Sequence, residues 1–547
     1  MDTRTVRRAS DLRGAGLTGI AAGAVTLGTA ELLAAAWSGP LASAGTPSPL
    51  LAVGAAFVDR TPAWLKDWAI AIFGTADKIA LGVGMALVLS VVCAAVGLLA
   101  TRRKDLAQVL FLAVAALGVA AVLSRPDSGL LDAVPTVVGA AVGTWLLGRL
   151  SDQGRAAQAG PVPPLAHPRR AAAHPGAHPG AHPAAVEPMP VGAPRREVLR
   201  TAGGLTALGL VGVAIGTSGS GLLRTAGPAT PAMPLPRPIR TVGVPDVAGS
   251  STPGHTAYLT PNDAFYRIDT ALRVPRVNPE TWTLRVTGLV EREIEMSYAD
   301  LLAEQHVEAL VTLTCVSNEV GGDLVGNARW QGWPVRDLLA RAGVAPEADM
   351  VLSRSVDGWT AGTPLEALTD DRDALLAVAM NGEPLPARHG YPVRLVVPGL
   401  YGYVSATKWV TELKVTRFDA DEGYWTPRGW SALGPIKTAS RIDVPRTGAR
   451  VVAGEVVVAG VAWAQLRGVD QVQVQVDDGP WQVAELLAEP SVDAWRLWRW
   501  TWPDATPGRH RLRVRATDAT GEVQTDLVAR PAPDGASGWH EVSVRVT

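Results

Sequence analysis

The chain is expected to fold in three parts: an N-terminal α-helical membrane bundle, a central α+β domain and a C-terminal all-β sandwich. Three observations predict this. Runs rich in Ala, Gly, Leu and Val dominate the residues up to about 223. Mixed strand and helix patterning takes over from about 240, and only short strands at regular spacing remain from Ile436. At 547 residues the chain is too long for one ordinary domain. Its formal net charge of −1 gives no pointer to nucleic acid.

Five stretches approach the roughly 20 apolar residues that a membrane-crossing helix needs: 15–37, 76–100, 106–123, 130–147 and 202–223. Glu31, Asp77, Lys78 and Asp132 are the charges within them, Asp77 and Asp132 close to an end. Lys78 lies near an end and can snorkel. Glu31 is expected to hydrogen-bond at a helix end or between helices rather than to mark a polar pathway. The run Trp64-Leu65-Lys66-Asp67-Trp68 reads as interfacial. None of the stretches contains a histidine, which excludes a bis-histidine membrane haem within this chain. The helices read as an anchor or a docking surface, and contact with quinone stays open.

Arginines and lysines cluster before the first stretch (Arg4, Arg7, Arg8, Arg13), between the second and third (Arg102, Arg103, Lys104) and before the fifth (Arg195, Arg196, Arg200). By the positive-inside rule the N-terminus is cytoplasmic and everything after about 224 is extracytoplasmic. The Pro-, Ala- and His-rich segment 151–200 is then a cytoplasmic linker, with a four-residue His-Pro repeat at 174–183 that reads as disordered or as a weak metal binder. It ends in Arg195-Arg196-Glu197-Val198-Leu199-Arg200, which resembles a twin-arginine export signal and equally suits an ordinary positive-inside flank. The expected organisation is a four-helix transmembrane region (1–150), the linker (151–200), a fifth transmembrane helix (201–224), an oxidoreductase-type α+β domain (240–425) and a β-sandwich (430–547).

Within the α+β domain, residues 282–288 alternate as a half-buried strand, and Ser297 is a candidate N-cap for a short helix. Residues 309–313 form an apolar strand that runs into Cys315, a polar turn and a Gly-rich loop. Cys93, the other cysteine, lies in an apolar run, so Cys315 has no partner for a disulfide in its own domain. A lone thiol there is either a buried small residue or a thiolate that binds or attacks something.

Cys315 with Asn318, then Ala328-Arg329-Trp330-Gln331-Gly332-Trp333-Pro334, then the run from Met380-Asn381-Gly382 through His389-Gly390-Tyr391-Pro392-Val393-Arg394 to Pro398-Gly399, and finally Lys408-Trp409, together resemble the sulfite oxidase family of molybdenum enzymes. The resemblance covers roughly residues 255–547. It implies a molybdenum–molybdopterin cofactor, with Cys315 as the metal's protein ligand, a soft thiolate suited to that metal. It places His389, Arg394 and Lys408 on the pterin phosphate, with Ser405 and Thr407 adding hydroxyls. Asn262, Phe265, Tyr266 and Arg267 match the family's N-terminal cofactor segment, and Arg267 also matches a substrate-pocket arginine. Thr360 is a further candidate for the cofactor, and Tyr403, with Tyr424 and Trp425, for the pocket lining. The implied chemistry is two-electron oxygen-atom transfer on a small oxo-acceptor or oxo-donor, with electrons exchanged singly through a cytochrome or quinone pathway. A bacterial, membrane-anchored member is the expectation.

One departure bears on substrate. Where sulfite-oxidising members carry an arginine pair after the Cys-x-x-Asn turn, this chain has Glu319 and Val320. An acidic residue opposes a dianion, so reduction of a sulfoxide or N-oxide stays open, as does a non-catalytic binding module. The strands from Ile436, with turns such as Asp477-Asp478-Gly479-Pro480, predict an immunoglobulin-like sandwich without a disulfide. It resembles the family's dimerisation domain, which implies a homodimer.

Overall fold

The computed structural model describes residues 3–37, 47–62, 65, 72, 77–125, 128–159, 195–225, 234–244, 252–272 and 274–547. The His-Pro repeat and all but Leu65 of the 64–68 run lie outside the described residues, and of Arg195 and Arg196 only the helical backbone is described. The chain divides into two compact units, Met1–Ala229 and Thr230–Thr547.

The first unit is helical: α1 (Thr3–Ala36), α2 (Pro49–Arg60), α3 (Asp77–Ala100), α4 (Lys104–Leu123), α5 (Val134–Ala159) and α6 (Arg195–Thr225). Among the described residues four helices are long and apolar enough to cross a membrane, over Gly14–Ala36, Ala80–Ala100, Lys104–Leu123 and Leu130–Gln153. The fifth expected span falls in α6, where the described side chains make a shorter apolar helix, Arg200–Ile215. Helices α3, α5 and α6 all pack on α1. Its small residues permit this. A Cβ on Gly19 would lie 2.0 Å from the Cys93 carbonyl oxygen, and one on Gly28 would lie 2.5 Å from that of Gly209. Close backbone approach through small residues is how helices associate where lipid removes the hydrophobic drive between them. Leu87, Val88 and Val91 of α3 and Val109 and Leu117 of α4 face outward and exposed. Glu31 caps α2: Ser48 Oγ donates to its two oxygens at 2.8 and 2.9 Å, and Leu50 N–H donates at 3.1 Å. The expected helix-end hydrogen bonding is what the structure shows.

The second unit opens with strands β1 (Thr283–Gly288), β2 (Ile294–Ser297), β3 (Val307–Thr314), β4 (Val325–Pro334) and β5 (Met350–Ser355). β6 (Thr360–Pro364), β7 (Leu375–Met380), β8 (Glu383–Pro384), β9 (Arg394–Val396) and β10 (Val410–Thr416) follow. One sheet runs β2-β1-β10-β5-β6 and the other β3-β4-β7-β8, with β9 paired to β7. Three short helices intervene, α7 (Tyr298–Leu302), α8 (Val335–Ala342) and α9 (Glu366–Thr369). Ser297 caps α7 as its position predicts, its Oγ accepting from Asp300 N–H. All eight residues of β3 are buried. Leu310 joins one apolar cluster, while Val307, Ala309, Val311 and Leu313 join another on the opposite face. That two-sided burial explains an almost continuous apolar run where a half-exposed strand would alternate.

Strands β11 (Ala439–Val444), β12 (Arg450–Val451), β13 (Gly454–Trp463), β14 (Val469–Val476) and β15 (Gln482–Val483) begin the C-terminal part. β16 (Glu485–Leu486), β17 (Arg496–Ala505), β18 (Gly508–Asp518) and β19 (His540–Val546) complete it. They form two sheets, β11-β13-β17-β16 and β12-β19-β18-β14-β15. Val458 and Trp498 of one share an apolar core with Val472, Val514 and Val544 of the other. The tryptophans of the 495–502 run are largely core: Trp495 and Trp498 are fully buried.

β3 is an edge strand of its sheet, yet the C-terminal part covers that edge. Thr312 N–H donates to Asp493 O at 2.9 Å, and Gln465 Nε2 donates to Thr312 O at 3.0 Å. Trp495 N–H donates to Thr312 Oγ1 at 2.7 Å, and that hydroxyl donates on to Asn327 Oδ1 at 3.1 Å. Replacing Thr312 by Val keeps the shape and strands two buried polar partners. We expect a loss of about 1–3 kcal/mol, read as a lower midpoint in urea unfolding.

Candidate functional site

Cys315 follows β3 directly, and its N–H donates to Leu324 O at 3.0 Å. The turn behind it is closed by Asn318. Asn318 N–H donates to Cys315 O at 3.0 Å, and its Oδ1 accepts from Leu324 N–H at 2.9 Å. The glycines that follow are required by contact. A Cβ on Gly322 would meet Asn318 Oδ1 at 2.6 Å; Gly321, at φ +77°, would drive one into the His540 ring. Arg441 Nη1 donates to Gly322 O at 2.8 Å, so the β-sheet part also grips the loop of the thiol. Cys315 itself is partly exposed and free. Burial raises its pKa, against hydrogen bonds from Ser317 and the positive charge of Lys408.

Lys408 stands at the centre of the charge pattern. Its Nζ donates to Asp269 Oδ2 at 2.6 Å and lies 4.8 Å from the Trp409 ring centre. Burial pulls its ammonium down to about 8; Asp269 opposes that, while Arg394 and Arg267 push it further down. Arg267 grips the same carboxylate, Nε to Oδ2 at 2.8 Å and Nη2 to Oδ1 at 3.2 Å. Arg394, on β9, is 5% exposed and stacks over the Trp330 ring at 5.0 Å. It donates to the carbonyls of Leu395, His389 and Ala406. Among the described residues no carboxylate pairs with it, and burial lowers it to about 10.

His389 is buried, and its Nε2 lies 2.8 Å from Asn262 O. Only a protonated Nε2 can donate to a carbonyl, which sets the neutral tautomer. Burial and the three nearby cations lower its pKa to about 4. Phe265 packs edge-on against it at 5.7 Å and stacks on Tyr266 at 5.3 Å. Burial and the nearby Cys315 push the Tyr266 hydroxyl up. Asn262 is held by Asn381, whose Nδ2 donates to Asn262 Oδ1 at 2.8 Å, while Asn262 Nδ2 donates to Met380 O at 3.2 Å.

The structure thus gathers Cys315, Arg267, Tyr266, Phe265, Asn262, His389, Arg394 and Lys408 from segments up to 146 residues apart in sequence (262 to 408). The other sequence candidates are placed differently. Ser405 Oγ donates to Tyr401 O at 3.0 Å, and Thr407 Oγ1 lies 2.6 Å from Ser353 Oγ. Both hydroxyls brace the loop that carries Lys408, where the expectation had them free for a phosphate. Thr360 opens β6 in the other sheet, opposite Arg354. Tyr403 turns to the 424–434 segment: its hydroxyl donates to Ser431 O at 2.7 Å and its ring packs on Trp430 at 5.9 Å. Tyr424 and Trp425 join that cluster, 5.2 Å apart. Sequence reasoning missed Asp269, Asn381 as a second-layer support and Trp330 as the platform for Arg394. A carboxylate two residues after Arg267 was the available signal for the first.

The family model for the oxidoreductase molybdopterin-binding domain matches residues 271–425. Human mitochondrial sulfite oxidase is 33% identical over 346 residues, covering 53% of this chain and 62% of that protein. Sulfite oxidase of Gallus gallus is 31% identical over 323 residues, covering 50% of this chain and 69% of that protein. The chain belongs to the sulfite oxidase family. An uncharacterized oxidoreductase, YuiH of Bacillus subtilis (strain 168), is 36% identical over 153 residues, 28% of this chain and 74% of that protein. The chain spans 62% of the length of the human enzyme.

Membership implies molybdopterin, and the donor set fits it. The buried Arg394 guanidinium has no carboxylate partner among the described residues, and Lys408 shares the one carboxylate of Asp269 with Arg267, so the three cations keep a net positive charge, which a pterin phosphate would offset. A free thiol beside them is the donor that molybdenum accepts.

His389 carries a pH consequence. Its folded pKa of about 4 lies below the model-peptide value of 6.5, so between those limits the unfolded chain binds a proton that the folded chain refuses. Stability is then full above about pH 6.5 and falls as pH drops towards 4. His389→Gln should show a shallower loss over that window in denaturant titrations at stepped pH; equal slopes would show that His389 does not titrate this way.

Proposed function

We propose that this chain is a membrane-anchored, molybdopterin-dependent oxidoreductase that carries out two-electron oxygen-atom transfer on a small molecule at the extracytoplasmic face. The observation that carries the reading is the convergence of a free thiol, Cys315, with the cation corner of Lys408, Arg267 and Arg394. In this assignment Cys315 holds the metal, Arg394 and Lys408 hold the phosphate end of the pterin, and Asn262, Phe265 and Tyr266 wall the cofactor; His389, expected on the phosphate, spends its one N–H on Asn262 O and braces that wall instead. The bound cofactor supplies the oxygen-atom and two-electron chemistry.

The chain's own residues do the rest. The Cys315–Asn318 turn, clamped by Arg441 and the edge bonds of Thr312, keeps the thiol at one position. His389, neutral at ordinary pH, donates one N–H and adds no charge. Arg394 is preorganised by carbonyls and an indole face, so its charge is aimed before the anion arrives. Arg267 contributes to substrate binding from the open side. Electrons leave or arrive through a separate cytochrome or quinone carrier. The two C-terminal sheets form an immunoglobulin-like sandwich that supports a homodimer.

Topology follows from the basic residues before and between the apolar helices, with the Arg195-Arg196 motif serving export of a domain that folds around its cofactor in the cytoplasm. The second reading, a reductase of a sulfoxide or N-oxide, is favoured by Glu319, which lies exposed on the thiol's loop.

Protein made in a host able to build molybdopterin should contain about one molybdenum and one pterin per chain, by elemental and fluorescence analysis. Cys315→Ser should abolish molybdenum-dependent turnover; unchanged turnover would refute the ligand assignment. Reporter fusions after residue 230 should be active only outside the cytoplasm.

A further inference from the structure

The open side of the site holds a carboxylate that nothing above assigns. Asp269 has a side chain 5% exposed, and it engages both Arg267 and Lys408. The Arg267 side chain is 29% exposed, so it borders the part of the site that solvent reaches. Its Nε and one terminal nitrogen both point at Asp269. That is the fork geometry by which a guanidinium would otherwise take an oxyanion. The Lys408 ammonium is also turned to Asp269, at 2.6 Å. Two cations are therefore matched to an internal carboxylate before any ligand arrives.

The surrounding charges do not reverse this. Arg394 lies behind, on carbonyl oxygens, and is almost fully buried. Arg388 donates to Asp263 O and is exposed. His389 is neutral. A dianion that sought Arg267 would have to displace Asp269 or sit beside it, and like charges a few ångströms apart in a half-dry site repel strongly.

We propose that Asp269 is a specificity-determining residue that occupies the Arg267 fork, so that the substrate side of the site takes a neutral oxygen-bearing or oxygen-accepting substrate, such as a sulfoxide, and rejects dianions, while Lys408 and Arg394 keep the net positive charge that the cofactor's phosphate needs. The proposal rests on the reading that this corner belongs to the substrate and cofactor site. Asp269 selects by charge; the reacting atoms are handled elsewhere.

The test uses the purified full chain, as wild type, Asp269→Asn and Asp269→Glu, each assayed for molybdenum and pterin content. Sulfate, as an unreactive dianion, is titrated by calorimetry at fixed ionic strength, and dimethyl sulfoxide serves as the neutral probe. Asp269→Asn should bind sulfate at least about tenfold more tightly than wild type, with dimethyl sulfoxide binding not tightened. Asp269→Glu should stay within about twofold of wild type on the same scale. Adding Arg267→Ala to Asp269→Asn should remove the gain, which assigns the sulfate to this corner rather than to Arg394. Sulfate binding unchanged by Asp269→Asn, or a gain that survives Arg267→Ala, would overturn the proposal. So would loss of molybdenum and pterin from Asp269→Asn but not from Asp269→Glu, since the carboxylate would then be a support for the cofactor corner. Absence of both from the wild type would refute the molybdopterin reading, while the sulfate comparison would still decide the effect of Asp269.

Discussion

Two cations on one carboxylate, with a third buried close to them on carbonyl oxygens, form the constraint on which the site depends. A charged side chain taken into a protein interior loses hydration worth several kcal/mol unless an opposite charge or aligned dipoles replace it. Asp269 does this for Lys408 and Arg267; carbonyls and the Trp330 face do it for Arg394. The downward shifts of Lys408, to about 8, and Arg394, to about 10, show that the replacement is incomplete. The corner keeps a net positive charge, and the proposed phosphate end of the cofactor would offset it without a second buried acid.

The thiol depends on a different kind of constraint. Cys315 lies at the end of an edge strand, the place in a sheet where a backbone is least restrained. The C-terminal sheets remove that freedom by hydrogen-bonding both sides of Thr312 and by holding Gly322 O through Arg441. The β-sheet part is therefore a structural component of the thiol's position as well as a candidate dimer surface. Within the helical unit the governing feature is different again: glycines on α1 let backbones touch, and Glu31 finishes the end of α2.

Much of this was legible in the sequence, for physical reasons. Apolar runs near 20 residues read as helices long enough to cross a bilayer; Ser297 reads as a cap because its hydroxyl satisfies a free N–H. The run from Met380 to Gly399, Cys315 with Asn318, and Lys408-Trp409 were enough to place the family, because together they match its motifs residue by residue. Ser405, Thr407 and Tyr403 show the limit. A hydroxyl near a functional lysine reads as a ligand donor, but whether it faces the ligand or a neighbouring carbonyl depends on the loop's rotation, which adjacent residues do not encode.

By itself, then, the sequence determined a helical N-terminal region followed by sheet-rich parts and the family, because these follow from periodicity, length and the family's motifs, and it offered the thiol and cation residues as candidates. Only the tertiary structure decided that Asp269 lies between Arg267 and Lys408, that Trp330 underlies Arg394, and that Thr312 is fastened to a domain some 150 residues away in the chain. Those are contacts between distant segments, set by how two sheets and a β-sandwich pack, and a one-dimensional pattern does not specify which distant side chains meet.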